Sequence, residues 1–132
     1  MILVDTSAWV EYDRASGSDV DLRLTEHIRD GGGDIAVTEP VLMEVLAGAR
    51  DQAGTAQLRR LLTSFAWLPV DAVADFEGAA KVYRSCRDAG ITPRGLIDCM
   101  IASIAIRTGS ELLTADRDFT AMASIVPLRL AG

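Results

Sequence analysis

The sequence has 132 residues, of which 49% are apolar and 24% charged. This balance is typical of a globular protein and excludes a disordered chain. The length suits one domain, so we expect residues 1–132 to fold as a single unit. No apolar stretch approaches the ~20 residues of a transmembrane helix, and no basic segment typical of a signal peptide begins the sequence. We therefore expect no membrane association and a cytoplasmic location.

The net charge and the metal-ligating residue types narrow the possible functions further. A net charge of −6 argues against tight, non-specific binding to long nucleic-acid duplexes. It is compatible with carboxylates gathered around a divalent cation, and with a basic protein partner. Cys86 and Cys99 both fall in helical patterns, which favours reduced packing residues over a disulfide. With His27 the only histidine, a zinc site built from Cys and His is not expected.

Short apolar segments alternate with helical patterns along the chain. Strands are predicted at residues 2–4, 35–37, 67–70 and 112–114, with a possible edge strand at 126–130. Helices are predicted from the candidate N-caps Thr6 and Ser7 onward, and then over residues 18–29, 38–48, 55–64, 72–89, 96–107 and 119–123. This alternation predicts a three-layer α/β/α domain, in which helices wrap a short parallel central sheet.

Two of these strands lead directly into acidic residues. Asp5 follows the first strand, and Asp116 follows the strand at 112–114. In open parallel sheets, ligands bind outside the carboxyl ends of the strands, so both carboxylates are candidates for a functional site. Each acid could instead cap the helix that follows it. Asp118 could likewise cap the last helix.

Two further acids lie in helices. Asp98 belongs to an almost wholly apolar helix, where a buried carboxylate is costly unless it is paired or binds a cation. Arg94, four residues earlier, could form that ion pair, or it could face the same pocket and hold a phosphate. Glu44 lies beside the apolar stripe of its helix and could simply be a solvated residue.

Taken together, the four acids suggest one chemistry. If Asp5, Glu44, Asp98 and Asp116 converge at one edge of the sheet, they would repel one another and could not all stay ionised without a cation. A site of oxygen ligands alone favours Mg²⁺, with Mn²⁺ able to substitute. Such a site suits phosphodiester hydrolysis by metal-activated water.

Four motifs in order give the chain a family resemblance. They are ILVDTSAW at residues 2–9, the helix acid Glu44, DCMIA at 98–102 and LTADRDF at 113–119. Together they resemble the PIN-domain family and, within it, the VapC-type toxins of type II toxin–antitoxin systems. The resemblance covers essentially the whole chain. No motif is diagnostic alone, but four in this order are specific.

The resemblance implies a Mg²⁺-dependent endoribonuclease with Asp5, Glu44, Asp98 and Asp116 as its acidic site residues. Asp5, Asp98 and Asp116 would contact the metal, and Asp118 and Arg94 would be accessory. The hydroxyl of Thr6 or Ser7 would orient Asp5 or a bound water. The family also implies an RNA substrate, a homodimer, and inhibition by a small antitoxin whose basic C-terminal segment lies across the toxin.

Rival functions fit the residues less well. A phosphatase with an aspartyl nucleophile commonly has a second acid two residues later, where this chain has Ser7. A phospho-accepting receiver domain needs a lysine after a late strand, but the only lysine, Lys81, lies in a helical pattern. A catalytically inactive PIN-like module that binds RNA or protein remains the other alternative.

Overall fold

A five-stranded parallel sheet forms the centre of the molecule. The computed structural model describes residues 1–132. The strands, in chain order, are β1 (Ile2–Val4), β2 (Ile35–Val37), β3 (Ala66–Trp67), β4 (Glu111–Leu113) and β5 (Arg129–Leu130). They lie in the order β3-β2-β1-β4-β5, and every neighbouring pair is parallel. The predicted parallel sheet is therefore confirmed, with β1 between β2 and β4.

Seven helices connect and cover these strands. They are α1 (Thr6–Asp13), α2 (Asp19–Arg29), α3 (Glu39–Ala47), α4 (Gln52–Leu62), α5 (Ala72–Asp88), α6 (Leu96–Thr108) and α7 (Arg117–Ala123). Parallel neighbours need crossover connections, which place helices against the faces of the sheet. The α/β fold class predicted from the sequence is confirmed. None of the helices is long and apolar enough to cross a membrane.

Besides α7, which begins at Arg117 instead of the predicted Phe119, two helix starts differ from the sequence prediction. Asp5 caps α1, with its side chain accepting a hydrogen bond from the Ser7 N–H, whereas Thr6 and Ser7 were the predicted caps. Helix α4 begins three residues before the predicted Thr55, because Asp51 caps it by accepting from the Gly54 N–H at 2.7 Å. In both cases a short aspartate side chain satisfies free backbone donors one turn into the helix.

Two strands are shorter than predicted. Strand β3 covers residues 66–67 instead of 67–70, and β5 covers 129–130 instead of 126–130. Leu68 and Val70 pack against the core, and Leu128 is buried, all without extending a strand. These residues are apolar because they are buried in loops. A hydrophobic pattern alone does not distinguish a buried loop from a strand.

The core joins both helical layers to the sheet. Twenty-three buried apolar residues form one cluster that includes β1, β2, β4 and much of α6. Cys86 in α5 and Cys99 in α6 belong to this cluster, and neither forms a disulfide. The prediction that both are packing residues is confirmed.

Candidate active site

The central strands bring Asp5 and Asp116 to the same edge of the sheet. β1 and β4 are neighbours, and the Asp5 N–H donates a hydrogen bond to the Leu113 carbonyl at 2.9 Å. Asp116 follows β4 and caps α7, with its Oδ1 accepting from the Asp118 N–H at 2.9 Å. Both acids are thus helix caps as well as strand-end residues, because a cap at this position lies at the carboxyl edge of the sheet. Asp116, not Asp118, caps the last helix.

Two hydroxyl groups fix the carboxylate of Asp5. Ser7 Oγ and Thr114 Oγ1 donate to Asp5 Oδ2 at 2.7 and 2.9 Å. The same hydroxyls accept from the N–H groups of Ala115 and Asp116, at 2.9 and 3.0 Å. Each hydroxyl has a single proton, and both protons are directed at Asp5. The network therefore ties the turn after β4 to the end of β1.

Thr114 was not among the residues predicted from the sequence. It was interpreted only as the last residue of a strand, since its role depends on β1 lying beside β4. The available signal was a hydroxyl residue two positions before a strand-end acid. The sequence predicted that Thr6 or Ser7 would orient Asp5. Ser7 donates to Asp5, whereas Thr6 Oγ1 donates to Glu44 Oε1 at 2.7 Å. Glu44 is thereby held toward α1 and is not a freely solvated residue.

Asp98 lies in the first turn of α6 and is half-buried. The sequence predicted burial because the helix is apolar on nearly every face, but its first turn is open, with Leu96 59% and Ile97 38% exposed. Asp98, Asp116 and Asp118 each offer a carboxylate oxygen, and these oxygens lie within 4.8 Å of one another. Asp5, predicted as a metal contact, lies outside this closest group.

The acids nevertheless share one electrostatic environment. Burial raises the pKa of Asp98, and the charges of Asp5, Glu44 and Asp116 raise it further, to about 6. Burial also raises the pKa of Asp5, although the bonds from Ser7 and Thr114 act in the opposite direction. These four carboxylates are the four predicted from the sequence. Their mutual repulsion means that a cation at this edge would favour their ionised forms.

Arg94 does not pair with Asp98 as one sequence interpretation proposed. Its Nε donates to Asp118 Oδ2 and its terminal nitrogen to Asp116 Oδ2, each at 2.6 Å. The i, i+4 rule applies inside a helix, but Arg94 precedes Gly95, the N-cap of α6. Its side chain therefore extends from the turn toward α7. A phosphate contact by Arg94 stays a prediction.

The donor set fits a small, hard divalent cation. The side-chain groups at this edge that can act as metal ligands are carboxylate and hydroxyl oxygens, which Mg²⁺ and Mn²⁺ prefer. Arg94 already supplies positive charge to two of the three closest carboxylates, which shows that the cluster accommodates a cationic group. Ser7, Arg94, Ala115 and Asp116–Asp118 line a shallow pocket of about 550 Å³ here. Asp98, Asp116 and Asp118 are the residues placed to share one ion.

Comparison with known proteins accounts for this geometry. The family model of the PIN domain matches residues 2–125. The chain belongs to the PIN-domain family. A VapC ribonuclease of Mycobacterium bovis and ribonuclease VapC11 of Mycobacterium tuberculosis are each 44% identical to this PIN domain over 132 residues. Each alignment covers 100% of this chain and 98% of the relative. The VapC-type resemblance drawn from the four motifs is thus confirmed.

Solved structures share the fold at low sequence identity. VapBC2 from Rickettsia felis, bound to a DNA fragment from its promoter, has a TM-score of 0.77 to this PIN domain at 19% identity; the match covers 99% of this chain and 98% of the other. VapC20 of Mycobacterium tuberculosis, a toxin that cleaves the sarcin–ricin loop, has a TM-score of 0.72 at 19% identity, covering 98% and 99%. The overall fold is therefore shared with these two structures.

Proposed function

We propose that this PIN domain is a Mg²⁺-dependent endoribonuclease and the toxin component of a VapBC-type toxin–antitoxin system. The observation that carries the proposal is the convergence of Asp98, Asp116 and Asp118 at the carboxyl edge of the sheet, within the electrostatic range of Asp5 and Glu44. The full-length similarity to VapC ribonucleases supports RNA as the substrate.

In this proposal the chain's own groups hold the acids in position. Ser7 and Thr114 fix Asp5, and Thr6 directs Glu44 toward the same edge. A bound Mg²⁺ or Mn²⁺ would polarise the scissile phosphodiester and the attacking water. Asp98, Asp116 and Asp118 would hold the ion, with Asp5 completing the site from β1. The hydrogen bonds from Ser7 and Thr114 keep the Asp5 carboxylate aligned before substrate binds.

RNA cleavage by the purified chain tests this function. Structured RNA incubated with the protein should be cut in Mg²⁺ or Mn²⁺ and left intact in EDTA. Asp5→Asn should remove the activity, because the amide keeps the shape of Asp5 but loses its charge. Asp88→Asn, an exposed acid at the end of α5, is the matched control and should cleave normally. Metal-independent cleavage, or an active Asp5→Asn variant, would contradict the mechanism, and metal-independent RNA binding without cleavage would favour the inactive module.

A groove beside the site is the proposed position of the antitoxin segment. It has a volume of about 890 Å³ and is lined by α1, α3, α4 and the loop before α4. Val10 and Leu58, both partly exposed, contribute apolar surface, and Glu44 connects the groove to the acidic edge. A segment with apolar residues and one basic residue would match both the groove and the acids at its end.

Blocking this groove should weaken inhibition by the cognate antitoxin. Ala53 is exposed and lines the groove, whereas Ala56 is exposed on the same helix and does not. Ala53→Arg should weaken antitoxin binding by about tenfold or more, because it adds bulk and a charge that opposes a basic segment. Ala56→Arg should bind as the wild type does. Equal affinities of the two variants in a titration of RNA cleavage would refute this position of the partner.

The proposed homodimer and cytoplasmic location stay predictions. Large apolar side chains exposed on the helices are candidates for the surface between two copies. Val73 and Phe76, 69% and 63% exposed, lie three residues apart on α5 and so share one face. Burying such side chains against a second copy would stabilise a dimer through the hydrophobic effect.

A further inference from the structure

Arg94 is the cation closest to the acidic cluster, and it reaches the cluster from outside α6. The residue lies in the turn between α5 and α6, and its side chain is 71% exposed. Its guanidinium bridges Asp118, in α7, and Asp116, the N-cap of α7, with both bonds at 2.6 Å. These partners, Asp116 and Asp118, are two of the three closest carboxylates. Arg94 therefore bonds to the oxygens that a metal ion would use.

The bonds of Asp116 leave little room for a second cation. Its Oδ1 accepts from the Asp118 N–H and its Oδ2 from Arg94. A divalent ion bound to Asp116 and Asp118 would lie a few ångströms from the guanidinium, and the two positive charges would repel each other. Arginine stays protonated at every accessible pH, so loss of its proton cannot relieve this repulsion. Movement of the side chain can.

The position of Arg94 makes that movement easy. An exposed ion pair contributes little net stability, since water competes for both partners. Arg94 precedes Gly95 at the start of α6 and is not part of the helix, so its side chain can leave the cluster without disturbing α6. The guanidinium makes no hydrogen bond to any group other than these two carboxylates.

We propose that Arg94 is a displaceable internal counter-ion of the metal site. In the absence of metal its guanidinium neutralises Asp116 and Asp118, and a divalent cation must displace it to bind. Arg94 thus sets the cation concentration at which the site fills. The inference rests on the proposed function, because it takes these carboxylates to be the metal site.

Metal affinity, measured without RNA, tests the inference. Mn²⁺ binding followed by electron paramagnetic resonance should be about three- to tenfold tighter in Arg94→Ala than in the wild type, because the competing charge is gone. Arg94→Lys should lie between them, since an ammonium cannot bridge both carboxylates as the planar guanidinium does. Arg84→Ala removes the same charge from an exposed position on α5 and should leave the affinity unchanged.

A second readout follows the side chain itself. In nuclear magnetic resonance spectra of the wild type, titration with Mg²⁺ should move the Arg94 Nε–H resonance to the position typical of solvent-exposed arginines. Equal or weaker Mn²⁺ binding in Arg94→Ala, or an Nε–H resonance that does not move when Mg²⁺ binds, would overturn the inference while leaving the metal site in place. An absence of Mn²⁺ binding in both proteins would instead remove the metal site on which the proposed function depends.

Discussion

Asp98→Asn should stabilise the protein in the absence of metal and abolish RNA cleavage in its presence. Burial and the charges of Asp5, Glu44 and Asp116 raise the pKa of Asp98 to about 6, so its ionised form destabilises the folded state. A pKa difference of this size corresponds to about 3 kcal/mol. Solvent screening of the half-buried group reduces the expected gain in the free energy of unfolding to ~1–2 kcal/mol. The asparagine keeps the shape but cannot supply a charged ligand.

The sign of the pH dependence distinguishes this effect from a general change in packing. The pKa of Asp98 is 3.8 when the chain is unfolded and about 6 when it is folded. The folded state therefore binds more protons between these values, and wild-type stability falls as the pH rises through that window. Asp98→Asn lacks this contribution. The two proteins should have similar stability near pH 4, and the variant should be more stable at pH 7.

Urea unfolding with and without Mg²⁺ provides the measurement. Mg²⁺ should raise the free energy of unfolding of the wild type, because ligands that bind only the folded state stabilise it, and it should have little effect on Asp98→Asn. Asp88→Asn, exposed on α5, should resemble the wild type under all conditions. A variant that is less stable at pH 7 without metal would show that Asp98 is not under electrostatic strain.

Asp75→Asn should destabilise the protein by ~2–4 kcal/mol at pH 7, an effect opposite in sign to that of Asp98→Asn. The Asp75 side chain is completely buried, and Arg107 donates to its oxygens at 2.8–3.1 Å. Ser103 Oγ and the Asp71 N–H also donate to it. Removing one partner of a buried ion pair leaves the other charge without compensation. The 34% exposure of the Arg107 side chain keeps the loss below the largest values measured for such pairs.

The pH dependence of this loss also follows from the contacts. Burial alone would raise the pKa of Asp75, but the hydrogen bonds and charge of Arg107, with the bonds from Asp71 and Ser103, outweigh it and lower the pKa. A lowered pKa contributes stability that is present above about pH 4 and is lost as the pH falls through the folded-state value. The difference between wild type and Asp75→Asn, measured by urea unfolding, should therefore shrink below pH 4. A loss that is equal at pH 3 and pH 7 would exclude an ionic contribution.

Helices α5 and α6 thus each contain one such acid: one stabilises the folded state and the other destabilises it when ionised. Asp75 in α5 has a dedicated cation, whereas Asp98 in α6 forms no ion pair, and the charges of three carboxylates around it outweigh that of Arg94. This contrast separates a structural acid from a candidate functional one without reference to any relative. A strained carboxylate at the ligand-binding edge of a parallel sheet is the arrangement expected of a functional site.

Much of the candidate site was predictable because it follows from local patterns and one topological rule. Short apolar runs predicted the strands that end before Asp5 and Asp116. Parallel strands bring their carboxyl ends to one edge of the sheet, so the two acids were expected to meet there. Asp98 stood out as a carboxylate in an apolar helix. Of the four acids, Glu44 was the hardest to single out from the sequence, because its hydrogen-bond partner Thr6 lies 38 residues away in the chain.

The partners of the polar side chains were not predictable in the same way. Thr114 bonds to Asp5 only because β1 and β4 are adjacent. Arg94 was expected within reach of Asp98 by helical spacing, but the helix begins after it. Asp75 gave no signal in its amphipathic helix, since its burial depends on how closely α5 approaches α6. A Cβ on Gly78 would collide with Ser103 Oγ, and no periodicity in the sequence indicates this close approach.

The sequence by itself therefore determined the fold class, the order of strands and helices along the chain and the set of candidate acids, because hydrophobic periodicity and helix capping act over a few residues. Tertiary structure alone decided which acids lie closest to one another, which of them pairs with an arginine, and in which direction the pKa values of Asp75 and Asp98 are shifted. Those properties depend on distances of a few ångströms between residues far apart in the chain, and electrostatic and hydrogen-bond energies change steeply over such distances.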